Sequence, residues 1–407
     1  MLFTTSFINL ALLGFASAAK FTNPLRKSGP DPFIVYDHDT SSYLFMQTTG
    51  NGLRVTKGPT LDGIRDFGNE KLVFQNQNMK DKPSVWAGEI HKIDGNWYIY
   101  YSHADAVWVV SGGSDPVGEY RDPVRLYDRG WSLDNTVLKV GGKNYLVFSC
   151  HSKDVSDNTI GGSSICISPL VSPTKINQDQ VTVISRPEEA WEQSGGNTNE
   201  GPQPLYWAGQ VYITYSASFC STPDYSLGLV HLTGDDPMDA ASWTKKKDEP
   251  VFHSGNGYYG PGHNGMFISP DGTELWNVYH ATFHPEGQCG DDRSTFAMKV
   301  DTTNGLNFGS PVTPGEYTAP SGEGGDSSTA QKGASNATTA QADIVGVTGA
   351  TIIKSAVATS KFVDTLAVTA PTVIGAVQAA VTGGSETEGT KCKAKRSRSR
   401  LVVRYDY

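Results

Sequence analysis

Three carboxylic acids in this chain stand at similar places in separate, largely apolar segments. Glu200 follows a Gly- and Asn-rich approach and precedes an alternating apolar run, and Asp31 and Asp134 precede runs of their own. Glutamate is a poor strand former, and a buried carboxylate costs free energy unless it is paired or used. A protonated carboxyl acting with an ionised one is the requirement for acid–base hydrolysis. For any one of these acids alone, the alternative is a carboxylate that caps a turn.

The segments around these acids repeat one pattern, with units roughly 45–65 residues apart. Each unit has a polar residue, a short apolar strand, a turn containing Gly, Asp or Ser, and an aromatic-rich strand. The turns are typical of β-hairpins; they read IDGNW, VGGKNY, WAGQVY and SPDGTE.

Five such units predict an all-β fold, a five-bladed β-propeller, because a propeller arranges the innermost strands around a common channel. The polar residues that would converge on this axial cavity are Asp31, Glu89, Asp134, Glu200 and His263. The alternative is a two-sheet sandwich in which the same acids are scattered.

The two ends of the 407-residue chain differ from its middle. The apolar stretch Phe7–Phe15 and the small residues after it predict a secretory signal over residues 1–19. A membrane anchor is the alternative, but the run is too short to cross a bilayer. Residues 317–407 are rich in Ala, Ser, Thr and Gly and end in a basic run, which predicts a disordered tail.

The propeller is therefore predicted over residues 20–316, as the catalytic domain of a secreted, extracellular monomer. The net charge of −9 does not favour a nucleic-acid partner, and a solvated or wall-associated tail is the preferred reading of the basic run. No membrane partner is expected. The spacing of the five cysteines suggests the pairs Cys150–Cys166 and Cys220–Cys289. Four cysteines allow three pairings, so the connectivity stays open.

Several motifs together resemble glycoside hydrolase family 43, in family order and over nearly all of residues 21–316. They are SGPDPFIVYD, VWAGEIHKIDGNWYIYYS, SLDNTVLKVGGKNYLVFS, TNEGPQPLY and GPGHNGMFISPDGTELWNVYHA. The resemblance implies a five-bladed propeller that acts on arabinose- or xylose-containing plant polysaccharides with inversion of configuration. The second-blade motif departs from the family's WAPE and reads Trp86-Ala87-Gly88-Glu89.

The resemblance also implies roles for individual residues. Asp31 corresponds to the general base, Asp134 to the residue that tunes the pKa of the acid, and Glu200 to the general acid. In inversion the acid and base stand about 6.5–9.5 Å apart, which opposite strands of a narrow channel can provide.

Other residues are candidates for binding rather than for chemistry. Trp86 and Glu89 at the cavity edge and Arg293 in the last blade are candidate substrate contacts; a packing tryptophan and a surface ion pair are the alternatives for Trp86 and Arg293. His263 resembles a histidine that family members place against a bound calcium or other ion, although a lone histidine is often structural. No cofactor is expected for the chemistry itself.

The function expected from this resemblance is release of L-arabinofuranose from arabinan or arabinoxylan, by the arabinofuranosidase branch that includes exo-acting enzymes. The alternatives are a β-xylosidase of the same family and a non-catalytic carbohydrate-binding propeller. The matched acids favour an enzyme, since binding alone needs no acid and base. Exo or endo action depends on loops that the sequence does not settle.

Overall fold

A computed structural model describes residues 19–151 and 162–323 of the chain. Five sheets form the blades of a β-propeller, which confirms the predicted all-β, five-bladed fold. The predicted signal segment, except Ala19, and most of the predicted tail lie outside the described residues.

The strands run in chain order within each blade. Outside the blades, β1 (Lys20–Asn23) pairs with β22 (Gly315–Thr318). The first blade has β2 (Phe33–Asp37), β3 (Ser42–Met46), β4 (Leu53–Gly58) and β5 (Glu70–Phe74). The second has β6 (Val85–Ile93), β7 (Asn96–His103), β8 (Ala106–Ser111) and β9 (Arg121–Arg125).

The other three blades vary in strand number. The third has β10 (Ser132–Val140), β11 (Lys143–His151), β12 (Ser163–Ser172), β13 (Lys175–Ile176) and β14 (Thr182–Ser185). The fourth has β15 (Asn199–Trp207), β16 (Gln210–Ala217), β17 (Ser226–Leu232) and β18 (Trp243–Lys245). The fifth has β19 (Tyr259–Ile268), β20 (Leu275–Thr282) and β21 (Ser294–Lys299).

Helical structure in the described residues is short and confined to connections. It comprises α1 (Gln77–Asp81) and four 3-10 turns at Asp62–Arg65, Phe67–Asn69, Ala190–Glu192 and Ala240–Ser242. Within the described ranges, none of these is long and apolar enough to cross a membrane.

Local turn chemistry explains the hairpins that begin three of the blades. The two-residue turns Asp94-Gly95, Gly141-Gly142 and Ala208-Gly209 have positive φ at both positions. That conformation matches the right-handed twist of the flanking strands. The turn sequences therefore fix the register of the two inner strands in these blades.

Successive side chains of each strand point to opposite faces of the blade, so each blade packs against both of its neighbours. Adjacent tyrosines show it: Tyr100 packs against the third blade, whereas Tyr101 packs against the first. Five buried apolar clusters result, one at each interface between neighbouring blades. Because both faces are covered, inner strands such as β20 are buried at every residue.

The ring is closed by the beginning of the chain. Residues 24–29 lie along β21, where the N–H groups of Leu25 and Gly29 donate to the carbonyls of Thr295 and Arg293, both at 2.8 Å. This segment supplies the outer edge of the fifth blade. The pairing of β1 with β22 crosses residue 316, the predicted end of the domain, and Ala319 is buried in the same apolar cluster as Phe21. Tyr317 of β22 packs against this cluster as well.

Two disulfides lie within residues 19–151 and 162–323, and both match the pairs that the spacing suggested. Cys150–Cys166 joins the neighbouring strands β11 and β12 inside the third blade. Cys220–Cys289 joins the loop after β16 in the fourth blade to the loop after β20 in the fifth.

We expect Asn23→Ala to destabilise the closure strongly. The Asn23 amide donates to the Ala297 carbonyl at 2.8 Å and accepts from the Ala297 N–H at 3.0 Å, in a buried position. Removing it leaves two buried backbone groups unpaired, at about 1–3 kcal/mol each. Urea unfolding should show a loss of about 2–5 kcal/mol. Lys20→Ala, which removes only an exposed ion pair with Glu316, should change stability by less than about 1 kcal/mol; equal losses in both variants would contradict this account.

Candidate active site

Each innermost strand is distorted at the same point, near the end where it enters the channel. In four blades the pairing with the next strand slips there by a bulge. The residue at the distortion has a positive φ, and this holds for Asp31 (54°), Ala87 (47°), Asp134 (55°), Gly201 (52°) and His263 (39°). Such conformations cost about 1–3 kcal/mol in residues with side chains, so the surroundings must hold them.

A repeated hydrogen bond between neighbouring blades holds these residues. In four interfaces the backbone N–H of the distorted residue donates to a side chain from the second strand of the preceding blade, or from the residues just after it. The pairs are Ala87 to Thr48 (2.8 Å), Asp134 to Ser102 (2.7 Å), His263 to Ser216 (2.7 Å) and Asp31 to His280 (3.1 Å).

The interface between the third and fourth blades replaces that contact with a carboxylate. The Gly201 N–H donates to Asp134 Oδ2 at 3.1 Å, and the Ser149 hydroxyl donates to the same oxygen at 3.4 Å. At this interface the inter-blade hydrogen bond is therefore made by the side chain of Asp134, and its donor is the residue next to Glu200.

Asp31 is buried among positive and polar groups. Its Oδ1 lies 3.0 Å from an Arg293 guanidinium nitrogen and 3.4 Å from Nδ1 of both His263 and His280, while Thr48 donates to Oδ2 at 2.7 Å. Burial raises the pKa of Asp31, but Arg293 and the two histidines outweigh it and hold the pKa well below its ordinary value. Asp31 is therefore ionised at any working pH.

Glu200 has the opposite electrostatics. Burial and the charge of Asp134 raise the pKa of Glu200 to about 7, and the phenol of Tyr225 donates to Oε1 at 2.8 Å. Burial and the charge of Asp31 likewise raise the pKa of Asp134. Asp134 and Glu200 interact, so they titrate as a pair that retains one proton in mildly acidic solution.

Two histidines of the fifth blade, His263 and His280, lie beside Asp31, and the two rings differ in charge. Burial lowers the pKa of His263, but the charges of Asp31, Asp134 and Glu200 outweigh it and raise the pKa. Burial and the charge of Arg293 lower the pKa of His280 to about 3, so this imidazole is neutral. The ring of His263 lies against Gly201, where an added Cβ would stand 3.2 Å from ring atoms.

The arrangement provides one protonated and one ionised carboxyl in a single buried cluster. Glu200 can donate a proton, and Asp31 can accept one. A third carboxyl, Asp134, favours the protonated form of the donor. These are the groups needed to cleave a bond by simultaneous acid and base assistance.

The structure brings together four of the five residues predicted to converge on one cavity, namely Asp31, Asp134, Glu200 and His263. Arg293 joins them and contacts Asp31 directly. Its expected contact with substrate stays a prediction.

The two other predicted residues both lie on β6 of the second blade. Trp86 is half-buried on β6, at the register position opposite Ser102. Glu89 is two residues beyond the distortion, and its carboxylate pairs with His91 at 2.9 Å and with the Gln203 amide at 3.1 Å. Glu89 thus belongs to a further polar layer. Its expected contact with substrate, and that of Trp86, stay predictions.

Sequence reasoning missed Thr48, Tyr225 and His280. A recurring signal could have found His280, because the second strands read YYS, VFS, TYS and VYH around Ser102, Ser149, Ser216 and His280. An aromatic residue followed by a hydrogen-bonding one marks the inter-blade contact. Tyr225 has no such pattern.

His263 is the residue beside which the sequence predicted a bound ion. No group of three or more His, Cys, Asp or Glu side chains in the described ranges is placed to hold a metal ion. Hard cations take about six to eight oxygen ligands, and His263 would offer one nitrogen. The predicted axial ion stays a prediction.

Comparison with known proteins agrees with this geometry. The sequence profile described as Glycosyl hydrolases family 43 matches residues 21–306. An extracellular exo-alpha-(1->5)-L-arabinofuranosidase from Streptomyces avermitilis is 32% identical over 351 residues, covering 77% of this chain and 70% of that protein. An alpha-L-arabinofuranosidase B from Pyricularia oryzae is 32% identical over 328 residues, covering 73% of this chain and 64% of that protein.

Solved structures show the same likeness. The crystal structure of an alpha-L-arabinofuranosidase from Lactobacillus brevis superposes with a TM-score of 0.65 at 25% identity, covering 72% of this chain and 98% of that one. The sequence profile spans most of the chain and all five blades. The chain therefore belongs to the glycosyl hydrolases of family 43 and is a glycoside hydrolase.

Proposed function

We propose that this glycoside hydrolase is a secreted α-L-arabinofuranosidase that removes single arabinofuranose units from arabinan or arabinoxylan, with inversion. The observation that carries the proposal is the opposite protonation of Glu200 and Asp31 in one buried cluster. The names of two relatives, each an arabinofuranosidase at 32% identity, support the sugar. The exo-(1->5) name of the Streptomyces avermitilis relative supports attack at the ends of α-1,5-linked chains.

In the proposed mechanism, Glu200 protonates the glycosidic oxygen as its bond to the anomeric carbon breaks. Water attacks the anomeric carbon from the opposite face and gives its proton to Asp31. The products are a free sugar of inverted configuration, a leaving alcohol that carries the proton of Glu200, and a protonated Asp31. One displacement suffices, and no covalent intermediate forms on the protein.

Asp134 acts on the acid in two ways in this mechanism. Its charge raises the pKa of Glu200, so the proton is present when substrate binds. Its Oδ2 also accepts the N–H of Gly201, the residue after Glu200, which orients the acid. His263 and Arg293 supply positive charge beside the carboxyls, so we propose that the chemistry needs no metal ion.

The signal-like leader and the two disulfides support secretion, because disulfides persist outside the reducing cytosol. A β-xylosidase would use the same acids, and no described contact favours it over the arabinofuranosidase. A carbohydrate-binding propeller would need neither the raised pKa of Glu200 nor the lowered pKa of Asp31.

The first prediction concerns the product. With linear α-1,5-arabinan the enzyme should release arabinose alone, and aryl α-L-arabinofuranosides should be hydrolysed far faster than aryl β-D-xylosides. Proton NMR during the first minutes should show β-L-arabinofuranose, the inverted anomer. Asp31→Ala serves as the inactive control. Faster hydrolysis of the aryl xyloside would contradict the specificity. Arabinan oligosaccharides as first products would contradict the exo action, and the α-anomer would contradict the inversion.

The second prediction tests the role of Glu200. We expect Glu200→Gln to lower kcat on arabinan by about 10²–10⁴-fold, because an amide cannot give a proton to a poor leaving group. Aryl substrates with acidic leaving groups need little protonation and should lose much less. The ratio of the two losses is the measurement. Glu89→Gln, the same change in the further polar layer, should leave that ratio unchanged, and an equal ratio in both variants would remove Glu200 from the acid role.

The third prediction concerns the pH profile of kcat/KM on an unactivated arabinoside. Asp134→Asn removes a negative charge that raises the pKa of Glu200, so that pKa should fall from about 7. The alkaline limb should move to lower pH by about one unit. The maximum should also fall, since the contact with Gly201 is weakened. Asp37→Asn, a buried substitution on β2 outside the site, should leave the limb in place; an unmoved limb in Asp134→Asn would show that Asp134 does not tune the acid.

A further inference from the structure

Two loops at the channel entrance deliver the partners of the two catalytic carboxyls. The loop after β20 carries Arg293, whose guanidinium lies 3.0 Å from Asp31 Oδ1. The Nε of Arg293 donates to the carbonyl of Gly290, also at 3.0 Å. Gly290 directly follows Cys289, so the orientation of the guanidinium depends on where Cys289 is held.

The loop after β16 carries Tyr225, which donates its phenol hydrogen to Glu200. The Tyr225 ring stacks on His280, with ring centroids 5.8 Å apart and an angle of 7° between the planes. The Tyr225 N–H donates to the carbonyl of Thr222 at 3.3 Å. Thr222 lies two residues after Cys220 in the same loop.

The disulfide Cys220–Cys289 joins these loops directly, and their backbones touch beside it. A Cβ added to Gly287 would stand 2.4 Å from the carbonyl carbon of Thr222, and the φ of Gly287 is +86°. Only glycine permits this approach. The covalent bond and the backbone contact therefore clamp the loop of the fifth blade onto the loop of the fourth.

We propose that the Cys220–Cys289 disulfide is a positioning element of the active site, which keeps Arg293 on Asp31 and Tyr225 on Glu200 at the same time. The inference rests on the proposed roles of Asp31 and Glu200 as base and acid. One covalent bond then controls the protonation of both Asp31 and Glu200. The disulfide Cys150–Cys166 lies within the third blade and joins neither of these two loops.

The charged groups that face each carboxyl set the direction of the expected change. Asp31 faces Arg293, His263 and His280, together with the charges of Asp134 and Glu200. Burial opposes the ionisation of Asp31, and Arg293 is the largest favourable contribution. When the loop of the fifth blade loosens, Arg293 leaves and the pKa of Asp31 rises towards its ordinary value.

Glu200 faces Asp134, His263, Tyr225 and Asp31, and burial is the largest cause of its raised pKa. Tyr225 forms part of the wall that buries it. Opening that wall admits water and lowers the pKa, and this outweighs loss of the smaller effect of the phenol hydrogen bond. The pKa values of acid and base therefore approach each other when the disulfide is lost.

The test compares Cys220→Ala/Cys289→Ala with Cys150→Ala/Cys166→Ala, each of which lacks one disulfide. In the first variant the acid limb of kcat/KM should rise and the alkaline limb should fall, each by about one pH unit, because Arg293 is an opposite charge within contact distance of Asp31. The second variant should keep the wild-type limbs. Identical profiles in the two variants would overturn the proposal.

A second measurement tests the proposal if Cys220→Ala/Cys289→Ala folds poorly. In folded Cys150→Ala/Cys166→Ala, Cys220–Cys289 is the disulfide that remains within the described residues. Mild reduction should narrow the pH profile of kcat/KM, because its acid limb rises and its alkaline limb falls. Reoxidation should restore the profile while the circular dichroism spectrum stays constant. A profile that does not respond to reduction, once thiol titration shows that the bond is open, would also overturn the proposal.

A readout without turnover separates this inference from the proposed function. Carbon-13 NMR of labelled glutamate, with Glu200 assigned from Glu200→Gln, gives the pKa of Glu200 directly. Reduction should lower it. If wild-type protein releases no arabinose while this pKa falls on reduction, the proposed function fails and the positioning role stands. If arabinose is released but the pKa is unchanged, the positioning role fails alone.

Discussion

The backbone N–H that each innermost strand donates to the preceding blade is the contact on which the site depends. It stabilises a left-handed residue where the strand enters the channel, and it joins two blades at that point. Asp31, Asp134 and His263 occupy that place themselves. The hydrogen bond that holds the left-handed residue therefore also orients the side chain of that residue. The strained backbone is part of the architecture, repeated in every blade, and only some blades use it for chemistry.

Charge balance within the cluster sets a compromise for Asp31, the proposed base. Arg293 and His263 keep Asp31 ionised despite its burial, but a carboxylate with a low pKa accepts a proton weakly. In the proposed mechanism, placement of the attacking water against the anomeric carbon then supplies a large part of the rate enhancement. Glu200 is better matched to its proposed role. A general acid works best when its pKa lies near the working pH, and the pKa of Glu200 is about 7.

The sequence was informative where the signal is local. Hairpin turns and strand alternation repeat at a regular spacing, so the blades could be predicted, and the acids were conspicuous because carboxylates are rare at the mouths of apolar strands. Tyr225 could not be separated from core residues, since its partner Glu200 comes from another strand. The contact of Arg293 with Asp31 could not be predicted, because the two residues are distant in the sequence. The edge strand β22 could not be anticipated either, because its partner β1 lies at the other end of the described chain.

The position of Asp31 has a consequence for folding. It lies two residues after the segment 24–29, which completes the fifth blade along β21, and its N–H is held by His280 from that blade. A chain whose ends have not met can form hairpins and pack neighbouring blades, yet Asp31, the proposed base, is not held in place. Hydrolysis is thus an all-or-none property of the finished ring, and trimming a few residues ahead of Asp31 would silence the enzyme while most of its structure survives.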